Sequence, residues 1–181
     1  MADLTKRIYL AGPEVFFPDA IAIGKAKKDI CRQYGFEGCF PFDNEVDLKP
    51  TQACAFTISA LNEGMITRSD LVIANLSPFR GISADPGTVF EVGYASGLGK
   101  KVHGYSCDPR SYYDRVRASD PKAGSERDKN EHQIENFGLA DNLMIQGAIK
   151  SRDGIFLAED GDNLELFERV IVLLAPFYQN R

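Results

Sequence analysis

The chain has 181 residues, of which 44% are hydrophobic and 26% are charged, and this composition excludes disordered and collagen-like proteins. Its 21 basic against 26 acidic residues give a formal charge of -5, the wrong sign for a protein that neutralises nucleic acid or an anionic membrane. We therefore expect one domain over residues 1–181 that acts on small molecules, with no nucleic-acid and no membrane partner. Since the apolar runs are too short for a bilayer and the N-terminus lacks a signal-peptide core, we expect a cytoplasmic protein.

The first half of the chain predicts two strands, each followed by a helix. A short apolar run ends at Gly12-Pro13, a pair that breaks a strand, and apolar residues then recur at helical spacing. The predicted elements are a strand at Arg7–Ala11, a helix at Asp19–Tyr34, a short strand at Cys39–Phe42 and a helix at Phe56–Arg68.

The second half continues the alternation of strands and helices. Its predicted elements are a buried strand at Asp70–Leu76, a loop at Ser77–Pro86, a helix at Gly87–Leu98, a strand at Lys101–Ser106, a charged surface loop or lid near 108–135, a strand at Gly154–Leu157 and a terminal helix with apolar residues from Leu164 to Leu174. This order predicts an α/β fold, with a doubly wound, mostly parallel five-stranded sheet between two helical layers.

The usual cofactor motifs are absent from the sequence. No G-x-G-x-x-G follows the first strand, and Gly99-Lys100-Lys101 lacks both the upstream glycine and the Ser/Thr of a P-loop. The four cysteines form no Cys-x-x-Cys pair, and the chain has 2 histidines. We therefore expect no metal and no cofactor, which leaves carboxylates as the candidates for acid, base or nucleophile.

Two carboxylates, Asp85 and Glu91, flank the start of the predicted helix at Gly87–Leu98, at the carboxyl end of a strand. In a doubly wound sheet this edge binds ligands, so the pair could serve as an acid and a nucleophile. On spacing alone a structural interpretation is the commoner one, since Asp before Pro86 is a frequent helix cap and an early helical Glu complements the helix dipole.

Four segments resemble the nucleoside 2-deoxyribosyltransferase family, in the order in which that family has them. They are Ile8-Tyr-Leu-Ala-Gly-Pro13, Ser69-Asp-Leu-Val-Ile-Ala-Asn-Leu-Ser-Pro78, Gly87-Thr-Val-Phe-Glu-Val-Gly-Tyr-Ala95 and Asn142-Leu-Met144. The resemblance spans about residues 7 to 158. It implies a flavodoxin-like homo-oligomer that exchanges the base of 2'-deoxyribonucleosides through a covalent deoxyribosyl-enzyme, in nucleotide salvage.

The resemblance also implies roles for individual residues. Glu91 matches the nucleophile, Asp85 the carboxylate that contacts the base and acts as general acid, and Tyr9 the hydroxyl that holds the nucleophile. Asn142, with Met144 nearby, matches an asparagine that enters a neighbouring subunit's site and binds the sugar hydroxyls. The remaining expected substrate contacts are Gly12, Phe16, Asn62 and Gly87. Several relatives carry aspartate where Asn62 stands, so this position can be a polar contact but not an acid.

Two alternatives remain at this point. A related branch hydrolyses deoxynucleoside 5'-monophosphates, with a basic, glycine-rich first loop and a serine as the neighbouring subunit's residue. Here the loop from Glu14 to Asp19 is acidic and apolar and the subunit residue is Asn142, which favours the transferase. The third interpretation is a catalytically silent nucleotide-binding module on the same fold.

Overall fold

The computed structural model describes residues 5–44, 49–120 and 126–179. Its strands are β1 (Lys6–Ala11), β2 (Phe36–Cys39), β3 (Leu71–Asn75), β4 (Lys101–Ser106) and β5 (Phe156–Ala158). Its α-helices are α1 (Ala20–Gln33), α2 (Gln52–Arg68), α3 (Pro86–Gly97), α4 (Tyr112–Ser119), α5 (Leu143–Lys150) and α6 (Asn163–Gln179). Short 3-10 turns occupy Pro13–Phe16 and Pro41–Asp43.

The five strands form one sheet in the order β2-β1-β3-β4-β5, and every pairing between them is parallel. This order is that of flavodoxin-like proteins, and it confirms the predicted doubly wound α/β fold. The direction of winding reverses between β1 and β3. Ligands of such sheets bind beyond the carboxyl ends of the strands at this reversal, so the loops after β1 and β3 mark the expected site.

The sheet has a hydrophobic core on each face because successive strand residues point to opposite sides. On β1, Ile8 and Leu10 pack with α1 and α6, whereas Tyr9 and Ala11 pack with α2, α3 and α5. A residue near the end of β1 can therefore contact a helix that begins just after β3. In the described part of the chain, no helix is long and apolar enough to cross a membrane.

The second strand lies earlier than Cys39–Phe42, because Cys39 is its last residue rather than its first. Pro41 begins a 3-10 turn, since proline has no N–H for a strand ladder and its ring fixes the backbone φ angle. The last strand begins at Phe156, two residues after the predicted start. Gly154 instead belongs to the turn that follows α5, with its N–H donating to the Ile149 carbonyl at 3.0 Å.

Helices α4 and α5 were not predicted. Helix α4 lies inside the segment expected to be a charged loop or lid, and residues 121–125 of that segment lie outside the described residues. Ser111 caps α4 by accepting a hydrogen bond from the Asp114 N–H at 3.1 Å. Each helix has 8 residues, which is too short for a clear helical repeat of apolar positions.

Candidate active site

Tyr9 and Glu91 meet at the centre of the candidate site. Tyr9 lies on β1 with its side chain toward α3, and its hydroxyl donates a hydrogen bond to Glu91 Oε1, on the second turn of that helix. The Tyr9 side chain is buried. Burial and the neighbouring Glu91 raise the pKa of the tyrosine hydroxyl, so it keeps its proton and remains a donor.

Glu91 is only partly exposed, and burial raises the pKa of its carboxyl to about 7. The hydrogen bond from Tyr9 acts in the opposite direction and favours the ionised form, whereas the negative charges of Asp85 and Glu14 raise the pKa further. Both protonation states of Glu91 are therefore populated near neutral pH, which is a common property of reactive carboxyl groups.

Asp85 is the N-cap residue of α3. Its Oδ2 accepts hydrogen bonds from the Thr88 N–H at 2.9 Å and the Thr88 hydroxyl at 3.1 Å. Among the residues that the structure describes, none donates to its other oxygen, Oδ1. Asp85 therefore caps the helix through Oδ2, as the structural interpretation of the sequence predicted, and Oδ1 remains available to a ligand. Gly87 serves this arrangement, because a Cβ there would lie 3.0 Å from Asp85 Oδ2.

Glu14, absent from the predicted site residues, forms a buried ion pair with Lys27 of α1. Their side chains are 1% and 2% exposed, and Asn75 Nδ2 also donates to Glu14 Oε1 at 2.8 Å. Although burial opposes ionisation, Lys27 and Asn75 lower the pKa of Glu14 and keep it anionic. Gly12 makes room for this carboxylate, because a Cβ at Gly12 would lie 1.9 Å from Glu14 Oε2. The signal available in the sequence was Lys27 on the buried face of α1, one turn from Cys31.

A second buried ion pair, between Arg115 and Asp141, fixes the loop that leads into α3. The two side chains are each 2% exposed, with Arg115 Nη2 3.4 Å from Asp141 Oδ2. Asp141 accepts hydrogen bonds from the Ser83 hydroxyl at 2.5 Å and the Ala84 N–H at 2.9 Å. Arg115 Nε donates to the Ile82 carbonyl at 2.7 Å. Neither residue was among the predicted site residues. Arg115, on α4, and Asp141, just before α5, together hold the loop that leads into α3.

Asn142 and Met144 lie at the start of α5, and their contacts within one chain do not lead to Glu91. Asn142 Oδ1 caps α5 by accepting from the Met144 N–H at 3.0 Å, and its Nδ2 donates to Glu135 Oε1 at 2.6 Å. The Met144 side chain is 71% exposed. Neither residue is brought to the Tyr9 hydroxyl in the described contacts of a single chain.

The two remaining predicted contacts lie on different elements. Asn62 is on α2, partly buried, and accepts a hydrogen bond from Asn44 Nδ2 at 3.2 Å. Phe16 ends the turn after β1 and is 52% exposed. Its ring stacks on Phe79 from the loop after β3, with a centroid separation of 5.4 Å, so it lies at the ligand-binding edge of the sheet.

The fold and this site define a class of protein, an α/β protein in which two carboxyl groups at the reversal point of a parallel sheet face no cation from the described residues. A model of the family described as nucleoside 2-deoxyribosyltransferase matches residues 8–144. An uncharacterised protein of Schizosaccharomyces pombe is 32% identical, covering 93% of this chain and 88% of that one. The chain belongs to the nucleoside 2-deoxyribosyltransferase family, as its four sequence segments predicted.

Solved structures show the same relationship. A 2-deoxyribosyltransferase from Leishmania mexicana is 32% identical, with a TM-score of 0.70, covering 96% of this chain and 99% of that one. A CMP N-glycosidase from Clostridium botulinum is 18% identical, with a TM-score of 0.50 and coverage of 93% and 98%. At that identity the second likeness shows a shared fold alone.

Proposed function

We propose that the protein is a nucleoside 2-deoxyribosyltransferase, which moves 2-deoxyribose from one base to another in nucleotide salvage. The observation that carries this proposal is the hydrogen bond from the buried Tyr9 hydroxyl to Glu91 at the carboxyl edge of the sheet. A carboxylate held in this way can attack C1' of a bound deoxynucleoside, where the transition state has oxocarbenium character.

The proposed reaction has two displacements at C1'. A Glu91 oxygen bonds to C1' while the glycosidic bond breaks, and the bonding electrons leave with the base, whose nitrogen takes a proton from Asp85. The incoming base then attacks C1' through a nitrogen, the ester bond returns its electrons to Glu91, and the proton of that nitrogen passes to Asp85. Two inversions retain the configuration at C1'.

Asp85 suits the acid role because the described residues hold only one of its two oxygens. Oδ2 is held by Thr88, which fixes the rotamer, and Oδ1 can face the base. The Arg115–Asp141 pair holds the backbone just before Asp85 through Ala84. A proton donor in a fixed position needs little reorganisation when the base departs.

We further propose a homo-oligomer in which Asn142 of one subunit enters the site of another. Exposed apolar side chains near Glu91 and near Asn142 support this proposal. Phe90, next to Glu91 on α3, is 55% exposed and stacks on Tyr94. Met144, close to Asn142, is also largely exposed. Exposed apolar groups of this size commonly mark protein interfaces. Covering both helices would bring Asn142 toward a neighbouring Glu91.

Incubation with deoxyinosine, with and without adenine, tests the activity directly. Formation of deoxyadenosine supports the transferase, and release of hypoxanthine alone means hydrolysis and contradicts it. No reaction with any nucleoside or nucleotide means a binding module and contradicts it as well. A 2-fluorinated deoxynucleoside, which slows breakdown of the intermediate, should leave a sugar-sized adduct on the peptide that contains Glu91. An adduct on a different peptide excludes Glu91 as the nucleophile.

A further inference from the structure

Arg80 lies against two aromatic rings at the ligand-binding edge of the sheet. Its guanidinium carbon is 4.8 Å from the centroid of Phe16 and 4.7 Å from that of Phe79. Phe16 follows β1, and Phe79 and Arg80 follow β3, so this group spans the two strands at the reversal point. The group therefore stands where the bound ligand is expected.

Apart from the two rings, the guanidinium of Arg80 has no partner within residues 5–44, 49–120 and 126–179, where no carboxylate and no carbonyl accepts a hydrogen bond from it. Its backbone adopts a φ of 54°, a left-handed conformation that is uncommon for residues other than glycine. The loop around it is nevertheless ordered, since the Phe79 N–H donates to the Ser83 carbonyl at 3.0 Å. Stacking on the two rings leaves the N–H groups at the edge of the guanidinium available to a ligand.

We propose that Arg80 recognises the base and selects 6-oxopurines, such as hypoxanthine, over 6-aminopurines, such as adenine. An arginine fork donates two parallel hydrogen bonds to a carbonyl oxygen and an adjacent ring nitrogen, which are the O6 and N7 of a 6-oxopurine. Adenine presents an amino group in place of O6, and this hydrogen-bond donor would face the N–H donors of the arginine. The proposal rests on the proposed function, because it assumes that a nucleobase occupies this edge.

The surroundings favour a base over a phosphate group as the ligand of Arg80. Phe16 is half-exposed, so part of its aromatic surface is open to contact with a base. Asp85 and Glu91 lie on α3, into which the loop of Arg80 leads, and neither is paired with a cation in the described residues. The negative charge of the ionised Glu91 disfavours a dianionic phosphate. The same cation would stabilise the negative charge that develops on a departing base.

Isothermal titration calorimetry with free bases tests the proposal without requiring turnover. We expect the wild type to bind hypoxanthine about tenfold more tightly than adenine, from one bidentate contact. Arg80→Met should abolish this preference by lowering the affinity for hypoxanthine. Arg80→Lys, which keeps the charge but not the planar fork, should show only part of the wild-type preference. The probe 7-deazahypoxanthine lacks the N7 acceptor, so Arg80→Met should lower the affinity for this probe less than it lowers the affinity for hypoxanthine.

Arg117→Met is the matched control, because Arg117 also stacks on an aromatic ring, at 5.5 Å from the Tyr113 centroid, but on α4. It should leave both affinities unchanged. A hypoxanthine-to-adenine ratio that stays the same in Arg80→Met overturns the proposal. So does a loss of deoxyinosine 5'-monophosphate binding with base affinities unaffected, which would assign Arg80 to a phosphate. If base binding follows the expected pattern but no exchange occurs, the proposed transferase activity fails and the recognition role stands.

Discussion

Replacing Glu91 with glutamine should abolish base exchange and make the folded protein more stable at alkaline pH. The amide has the shape of the carboxyl group, and its oxygen can accept the same hydrogen bond from Tyr9. It cannot form the glycosyl ester in the way a carboxylate does, so activity should be lost at every pH. The stability gain follows because the amide never carries the charge that is costly to bury.

The size of this gain follows from the pKa of Glu91, which burial raises from 4.5 to about 7. Between these pH values the folded protein holds a proton that the unfolded chain has released, so the free energy of unfolding falls as the pH rises through this window. At about 1.4 kcal/mol per pH unit, the full effect is about 3 kcal/mol. The variant and the wild type should therefore be nearly equal near pH 4.5, with Glu91→Gln more stable by about 3 kcal/mol at pH 8.

Urea unfolding followed by circular dichroism, at equal protein concentration from pH 4.5 to pH 8, measures this difference. Subtracting the two free energies at each pH removes the contributions of all other titrating groups. Glu63→Gln on α2 serves as the control for the loss of a carboxylate outside the site. A difference between Glu91→Gln and the wild type that is constant over the pH range would refute the argument from burial.

Four further changes test the remaining assignments. Tyr9→Phe should raise the pKa of Glu91, because the hydrogen bond that favours ionisation is lost, and should move the acid limb of the pH–rate profile upward; an unmoved limb contradicts the contact. Asp85→Asn should slow exchange most for poor leaving groups, and equal loss for all bases would mean that Asp85 only binds or caps. Mixing Glu91→Ala with Asn142→Ala should restore roughly a quarter of wild-type activity in randomly paired dimers, whereas verified subunit exchange without recovery excludes a shared site. Arg115→Lys keeps the charge but loses the planar fork that positions the loop before Asp85, so it should lower kcat more for poor than for good leaving groups. A lower free energy of unfolding with kcat unchanged for all leaving groups would mean a purely structural role.

The fold was largely predictable because its strands and helices follow local periodicities. Buried strands such as Leu71–Asn75 are continuous apolar runs, and helices α1 and α6 have apolar stripes, so the alternation of strands and helices indicated a parallel sheet. The helices α4 and α5 were not predictable in this way. Each is only two turns long, and α4 is made mostly of polar residues, so tertiary contacts of Arg115 decide its position.

The site was predictable only in part for a different reason. The resemblance pointed to Tyr9 and Glu91, and the structure places them in contact. The position of Lys27 on the buried face of α1 indicates burial, but the sequence does not identify the partners of either ion pair near the site. Lys27 and Glu14 are separated by 13 residues, and Arg115 and Asp141 by 26. Charged residues with such separations look like solvated surface groups, and only the folded chain shows that they are buried together.

The two buried ion pairs also explain why Glu91 differs from the other buried carboxylates. Glu14 and Asp141 each form a buried ion pair with a cation, and Lys27 lowers the pKa of Glu14, so neither carboxylate is left without a charged partner. Glu91 faces a neutral hydroxyl instead and lies near the negative charges of Asp85 and Glu14, so its ionised form is held at a cost. An ionised carboxylate without a cation gains most when it bonds to a carbon that carries developing positive charge. The arrangement of cations, which a sequence does not display, therefore separates Glu91 and Asp85 from Glu14 and Asp141, and the hydrogen bond from Tyr9 distinguishes Glu91 from Asp85. Both observations support the proposal that Glu91 is the carboxylate that attacks C1'.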